Sequence, residues 1–212
     1  MGKYLNRGMY DLVEVAHLLG VDPDRVVRWS TPTRSRAAIV PPALDPLFTF
    51  HDLISLLVVA KLVERQVSNE QLADGVATLS AELGTDRPLA REELRDNIAT
   101  MGRAFFARLR GEWVDVGRGG QRAFPEVVLP ALKQVEYGDD HFAAIWRPRK
   151  GVWLNPRVQA GSACIDGTRV PTEVLARAVA LGESPEDVAD NYELDVATVL
   201  TAAAYEHQLA AA

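Results

Sequence analysis

Apolar residues along this 212-residue chain recur at the three-and-four spacing of helices, in short runs that each open at a capping residue. Asp11 can cap a first helix while Glu14 reaches back to it, which places Leu12, Val15, Ala16 and Leu19 on one face, and Gly20 ends the run. Asp22 can cap a second helix with Pro23 at its first position, so Val26, Val27 and Trp29 are expected to pack inward while Asp24, Arg25 and Arg28 point out. Residues 30 to 50 follow, with Arg34 and Arg36 ahead of an expected strand pair. Thr49 with Asp52 then caps an apolar run from Leu53 to Leu62, and Ser68 with Gln71 caps a helix over Asn69 to Leu83.

Two short helices about a tight turn, with arginines on the outer face of the second, form the layout of a DNA-reading helix-turn-helix. A strand pair carrying Arg34 and Arg36 would add a basic wing. An arginine on such a helix can give two donors to the acceptor edge of guanine, or it can pair with a phosphate. The expected DNA-binding set is therefore Asp24, Arg25, Arg28, Arg34 and Arg36.

The pattern loosens between residues 86 and 150. RPLAREELRDNIATMG suggests a helix, the run from Ala104 to Phe124 suggests short strands about the glycine-rich turn Gly117 to Gly120, and PEVVLPALKQVEY suggests another helix. The turn lacks the GxxxxGK[ST] spacing of a phosphate cradle and reads as a hairpin loop. Trp113, Phe124, Phe142 and Trp146 either close the core of a small mixed domain or line a ligand pocket, with the core the better supported of the two.

Periodicity returns after Trp153. Asn155-Pro156 starts a turn, and Asp166-Gly167 between Ile165 and Val170 suits a two-residue hairpin. Three helices are then predicted. The first, Thr172 to Leu181, has Val174, Leu175, Ala178 and Val179 as its apolar stripe; the second is capped by Ser184 with Pro185 and Asp187; the third begins at Asp195, with Val196, Val199, Leu200 and Ala203 inward. The fold expected is mainly α with small β elements, an α+β class. It divides into a winged helix-turn-helix over 1–85, a mixed segment over 86–152 and a helix-turn-helix-like three-helix domain over 153–212.

Charge sharpens this division. The chain carries a net −6, which would repel a polyanion if it were spread evenly. Residues 1 to 42 instead hold six Lys/Arg against four Asp/Glu, whereas residues 155 to 212 hold three against nine. The front is basic and the tail acidic, so the tail suits a basic partner. No apolar run has the length of a membrane span, and the N-terminal residues lack a signal-peptide core, so a cytoplasmic protein is expected. Cys164 is the one cysteine, and the histidines at 17, 51, 141 and 207 show no ligand spacing. No metal, cofactor or catalytic set is expected: Ser162 lacks the nucleophile-elbow motif and Cys164 has no histidine near it in sequence.

Tyr10, Glu14 to Ala16, Leu19 to Val21, Trp29 and Phe48 to Leu53 resemble the winged helix-turn-helix of the MerR superfamily over about the first third of the chain. The chain departs from that family where a long dimerisation helix would end the molecule. The segment from residue 153 resembles the domain of unknown function 433 family, on Asn155, Pro156, Val158, Ile165, Gly167 to Pro171, Gly182 to Glu186, Val188 and Ala189. Together the two resemble a VapB-type antitoxin of a type II toxin-antitoxin module. That resemblance implies a PIN-like ribonuclease toxin as partner, binding to operator DNA that represses its own operon, and a dimer or larger assembly. The toxin- or dimer-facing set is expected among Asp187, Asp190, Tyr192, Glu193, Tyr205 and Glu206. Arg169 in the GTRVP motif is a further candidate, expected to tie loop carbonyls or Asp166 together. The competing expectation is a MerR-like transcriptional regulator that senses a ligand and has no toxin partner.

Overall fold

The structure is a computed structural model that describes residues 7–96 and 129–210. It is a mainly helical α+β fold with a small antiparallel sheet of strand order β1-β2-β3-β4. The chain divides into two compact units, Tyr10–Ala144 and a second made of Met1–Met9 with Ile145–Ala212. The glycine-rich turn, Trp113 and Phe124 lie outside the described residues.

In the Tyr10–Ala144 unit, α1 (Leu12–Leu19) starts at a full capping box, with the Glu14 amide donating to Asp11 and the Asp11 amide donating to the Glu14 carboxylate. It stops at Gly20, whose φ of 63° is the left-handed conformation a residue without Cβ adopts at least cost. Helix α2 (Pro23–Ser30) is capped by Asp22, which accepts from the Asp24 amide at 2.8 Å. Its inward positions are Val26, Trp29 and Ser30, while Val27 is exposed. This corrects the expectation for Val27. Ser30 takes the third inward position because its hydroxyl donates to the Val26 carbonyl at 2.8 Å, so no polar group is left unpaired.

No strand pair forms over residues 31–49, so the expected hairpin wing is absent. The amides that a strand would have used go elsewhere: those of Ile39 and Val40 donate to the Trp29 carbonyl, fastening the loop onto the end of α2. Only single bridges occur there, Leu44 with Leu47 and Tyr10 with Phe48. Helix α3 (Phe50–Val63) opens at the predicted Thr49–Asp52 capping box and is buried on every side from Asp52 to Ala60. Helix α4 (Asn69–Leu83) opens at the predicted Ser68–Gln71 box. A 3₁₀ turn at Pro88–Ala90 leads to α5 (Glu92–Asp96).

Asp52 has no solvent exposure. Its carboxylate accepts from the amides of Ala43 and Thr49 and forms an ion pair with Arg87, which also donates to the Pro41 carbonyl at 2.7 Å. One buried charge thus fixes the loop behind α2, the start of α3 and the segment after α4. Near the end of the same unit, Phe142 stacks on His51 with ring centroids 4.9 Å apart, and the Arg91 guanidinium lies 4.7 Å from the Phe142 centroid. Phe142 is therefore a structural aromatic between two cation-capable side chains.

Strands β1 (Val135–Tyr137), β2 (Ala143–Arg149), β3 (Val152–Leu154) and β4 (Ala163–Ile165) form the sheet; β3 pairs β2 through Trp146 with Leu154, and β4 through Trp153 with Cys164. Trp146 is buried. Helices α6 (Thr172–Ala180), α7 (Pro185–Tyr192) and α8 (Val196–Ala210) follow, around a core of Ile165, Leu175, Val188, Ala189, Val199 and Ala202. The three predicted helices are present, with altered facing. Val174 and Leu200 are exposed, and the inward row of α8 is Val199, Ala202 and Tyr205. Instead of a two-residue hairpin, four residues separate Ile165 from Val170, whose carbonyl accepts the Ile165 amide.

Candidate nucleic-acid and protein interfaces

Helix α2 presents Asp24 and Arg28 as exposed side chains and Arg25 as half-buried. Residues 25 and 28 are one turn apart and share a face. Among the described residues neither guanidinium has an ion-pair or side-chain hydrogen-bond partner, and the same holds for exposed Arg34 in the following loop. Arg36 is different. Its guanidinium donates to the carbonyls of Arg28 at 2.6 Å and Ala37 at 3.0 Å, so it closes the last turn of α2 and complements the negative end of the helix. Arg36 therefore holds the helix that carries Arg25 and Arg28 and has fewer donors left for a ligand than they have.

The turn between α7 and α8 repeats the turn between α1 and α2. Glu193 occupies the place of Gly20, with a φ of 54°. The Leu194 amide donates to Ala189 as the Val21 amide donates to Ala16, and the Glu193 amide donates to Asp190 as the Gly20 amide donates to His17. Asp195 then stands where Asp22 does, its carbonyl accepting from the amides of Thr198 and Val199. The second helix of this rear pair bears no Lys or Arg.

Of the residues expected to face a partner, Asp187, Asp190, Tyr192 and Glu193 are exposed on α7 and its turn. Tyr205 is not among them, since only 4% of it is exposed. Burial, with Glu206 beside it, raises its phenol above the usual range, so it is a neutral core residue. Glu206 is half-buried and accepts from the Thr172 hydroxyl, tying α8 to the start of α6. Ser184 caps α7 by accepting the Asp187 amide, and its hydroxyl donates to the Asp187 carboxylate at 2.6 Å.

The motif residues from Asn155 to Ala189 mostly build this unit. Asn155 closes a turn by accepting the Arg157 amide, Gly167 takes a φ of 75°, and Thr168 donates to Ile165 and accepts from Val170. Trp153 donates its indole N–H to the Thr168 carbonyl at 3.2 Å. Arg169 does not tie Asp166; Arg147 does, at 3.3 Å. The Arg169 side chain is exposed and, among the described residues, its guanidinium has no hydrogen-bond partner, while its carbonyl accepts from the Gln159 side chain. Cys164 is buried, and burial pushes its thiol up to about 11. It is protonated at neutral pH and is a poor nucleophile there.

The ionic network of Asp52 and Arg87 and the pairing of Arg147 with Asp166 were not visible in sequence, because their partners are set by tertiary approach. Among the described residues no group of three or more His, Cys, Asp or Glu side chains is placed to hold a metal ion, and no helix is long and apolar enough to cross a membrane.

No curated protein matches the chain. Its fold is similar to that of the X-ray crystal structure of Rv2018 from Mycobacterium tuberculosis, with a TM-score of 0.71, 20% identity, and coverage of 93% of this chain and 98% of that one. Residues 152–205, which run from the start of β3 to Tyr205 in α8, match the family described as protein of unknown function (DUF433).

Proposed function

We propose that this chain is an antitoxin that represses its own operon through the α1–α2 pair and neutralises a PIN-like ribonuclease through the acidic helices α6–α8. The observation that carries this reading is one turn geometry used twice with opposite charge. Helix α2 offers the uncommitted Arg25 and Arg28, joined by Arg34, to phosphate and base edges. Residues 172–210 hold eight carboxylates against the single cation Arg177, which suits the basic RNA-binding rim of a nuclease and would repel DNA. The exposed apolar side chains of Val174, Leu181, Tyr192 and Leu200 on the same helices supply desolvating contacts to a protein partner. A dimer or larger assembly fits, since one reader with so few cationic contacts binds weakly and two-fold operators are matched by two-fold proteins.

The test is co-expression with the product of the adjacent open reading frame, read by growth rescue and by co-purification, together with a gel-shift on the upstream promoter. Rescue, a stable complex with a small nuclease and a specific shift are expected. A chain that ignores its promoter at low ionic strength and captures no nuclease overturns the reading.

A further inference from the structure

All but one of the acids of the rear unit's described residues lie in the helical segment 172–210. Residues 7–9 and 145–171 hold six Lys/Arg and one acid, Asp166, which is already paired with Arg147. The basic part has a focus in the backbone. Gln159, Ala160 and Gly161 have φ values of 46°, 54° and 97°, a left-handed run in which two residues carry a Cβ. Such a run persists only where its surroundings hold it, and here two other segments and the adjoining Ser162 do so. The Met9 amide donates to the Ala160 carbonyl at 3.0 Å, the Gln159 side chain donates to the Arg169 carbonyl at 3.1 Å, and the Ser162 hydroxyl donates back to the Gln159 carbonyl at 2.9 Å. Each holding segment and the turn's own segment bring an exposed arginine: Arg7 two residues before Met9, Arg169 itself, and Arg157 two residues before Gln159. Among the described residues none of the three forms an ion pair or side-chain hydrogen bond.

We infer that this turn, with Arg7, Arg157 and Arg169, is a second nucleic-acid contact that grips backbone phosphates without reading sequence. Arginines on three pinned segments match a repeated anion, and guanidinium groups pair phosphate oxygens with two parallel donors. The composition argues against a protein partner here. Protein interfaces bury apolar and aromatic anchors, but the exposed large apolar side chains of this unit lie on α6–α8 and in the α6–α7 turn, apart from Met9. The inference does not depend on the antitoxin reading, since it concerns non-specific binding by a different surface.

The full chain is titrated with a mixed-sequence DNA duplex, and separately with single-stranded RNA, by fluorescence anisotropy over a range of salt concentrations. For duplex DNA, replacing Arg157 and Arg169 by Gln should weaken low-salt binding on the order of tenfold and reduce the slope of log K against log salt by roughly 2, about 0.9 for each phosphate no longer neutralised. The Arg157→Lys/Arg169→Lys variant should keep most of that slope, and Arg7→Gln, which leaves the turn untouched, should reduce it by about 0.9. Weakening with RNA alone identifies that backbone as the source of the phosphates. An unchanged slope in the Gln variants, or a wild-type chain that binds neither probe at low salt, overturns the inference. A non-operator duplex is used throughout, so failure of the antitoxin reading leaves the result standing, and the reverse also holds.

Discussion

The front and rear helix pairs can be laid over one another position by position: Ala16 on Ala189, Gly20 on Glu193, Val21 on Leu194, Asp22 on Asp195. Both alanines are buried, and the amides after them make the same two bonds to the same two carbonyls. What differs is the packing behind the pair and the charge in front of it. The front pair rests against a segment held by the buried carboxylate of Asp52, while the rear pair closes on aliphatic contacts among Leu175, Val188, Val199 and Ala202. The front presents arginines and the rear presents carboxylates. A turn of this shape therefore sets where a helix points, and the residues on its outer face set what it can touch.

The largest effect that would break this comparison is expected at Asp52. Replacing it by Ala leaves Arg87 and two amides without their partner and should destabilise the Tyr10–Ala144 unit by about 3–5 kcal/mol, read as a lowered denaturation midpoint. If the change is within experimental error, the front pair does not depend on that charge. Next is binding. Arg25→Ala with Arg28→Ala should weaken operator binding roughly a hundredfold or more, at about 1–3 kcal/mol for each base contact, and leave nuclease capture unchanged. Asp187→Lys with Asp190→Lys should do the reverse, and equal loss of both activities in either variant would show that the two pairs do not divide the work.

A smaller effect isolates the turn itself. Gly20→Ala should cost about 1–2 kcal/mol, because a Cβ is disfavoured at a left-handed φ. Glu193→Gly should stabilise its unit by up to about 1 kcal/mol for the same reason. Opposite shifts in melting temperature are the expected readout, and shifts of the same sign would mean that the two turns are not equivalent. The smallest effect is a pH slope at His51, whose imidazole is lowered from 6.5, chiefly by burial and against the opposing influence of the Ala143 carbonyl, Asp140 and Asp52. The unfolded chain then binds a proton where the native one does not. Stability should fall as pH drops below 6.5 until the native imidazole also protonates, and His51→Gln should flatten that part of the profile.

The helices were legible because their signals are local. Asp11 with Glu14, Thr49 with Asp52 and Ser68 with Gln71 each meet within one turn, and all three capping boxes form. Facing was harder to read. Ser30 and Thr172 displaced valines from inward positions because their hydroxyls found acceptors, Val26 for Ser30 and Ala163 with Glu206 for Thr172. Tyr205 looked like a surface tyrosine because nothing in its neighbourhood announces that α8 turns that edge toward the core. Partner choice was not legible at all. Asp166 pairs with Arg147 nineteen positions away while Arg169 stands three away, since the sheet brings the former within reach. The wing failed for a related reason: Ile39 and Val40 have strand-like side chains, but one helix-end carbonyl took both amides.

The bond from Met9 to Ala160 gives the rear unit a discontinuous border. A fragment cut at Val152 to match the family segment would keep every motif residue and omit the amide that holds the left-handed run. Synthesis delivers that amide about 150 residues before its acceptor, so residue 9 has to wait for residue 160. Removing Met9 thus takes a donor from a turn that lies far along the chain.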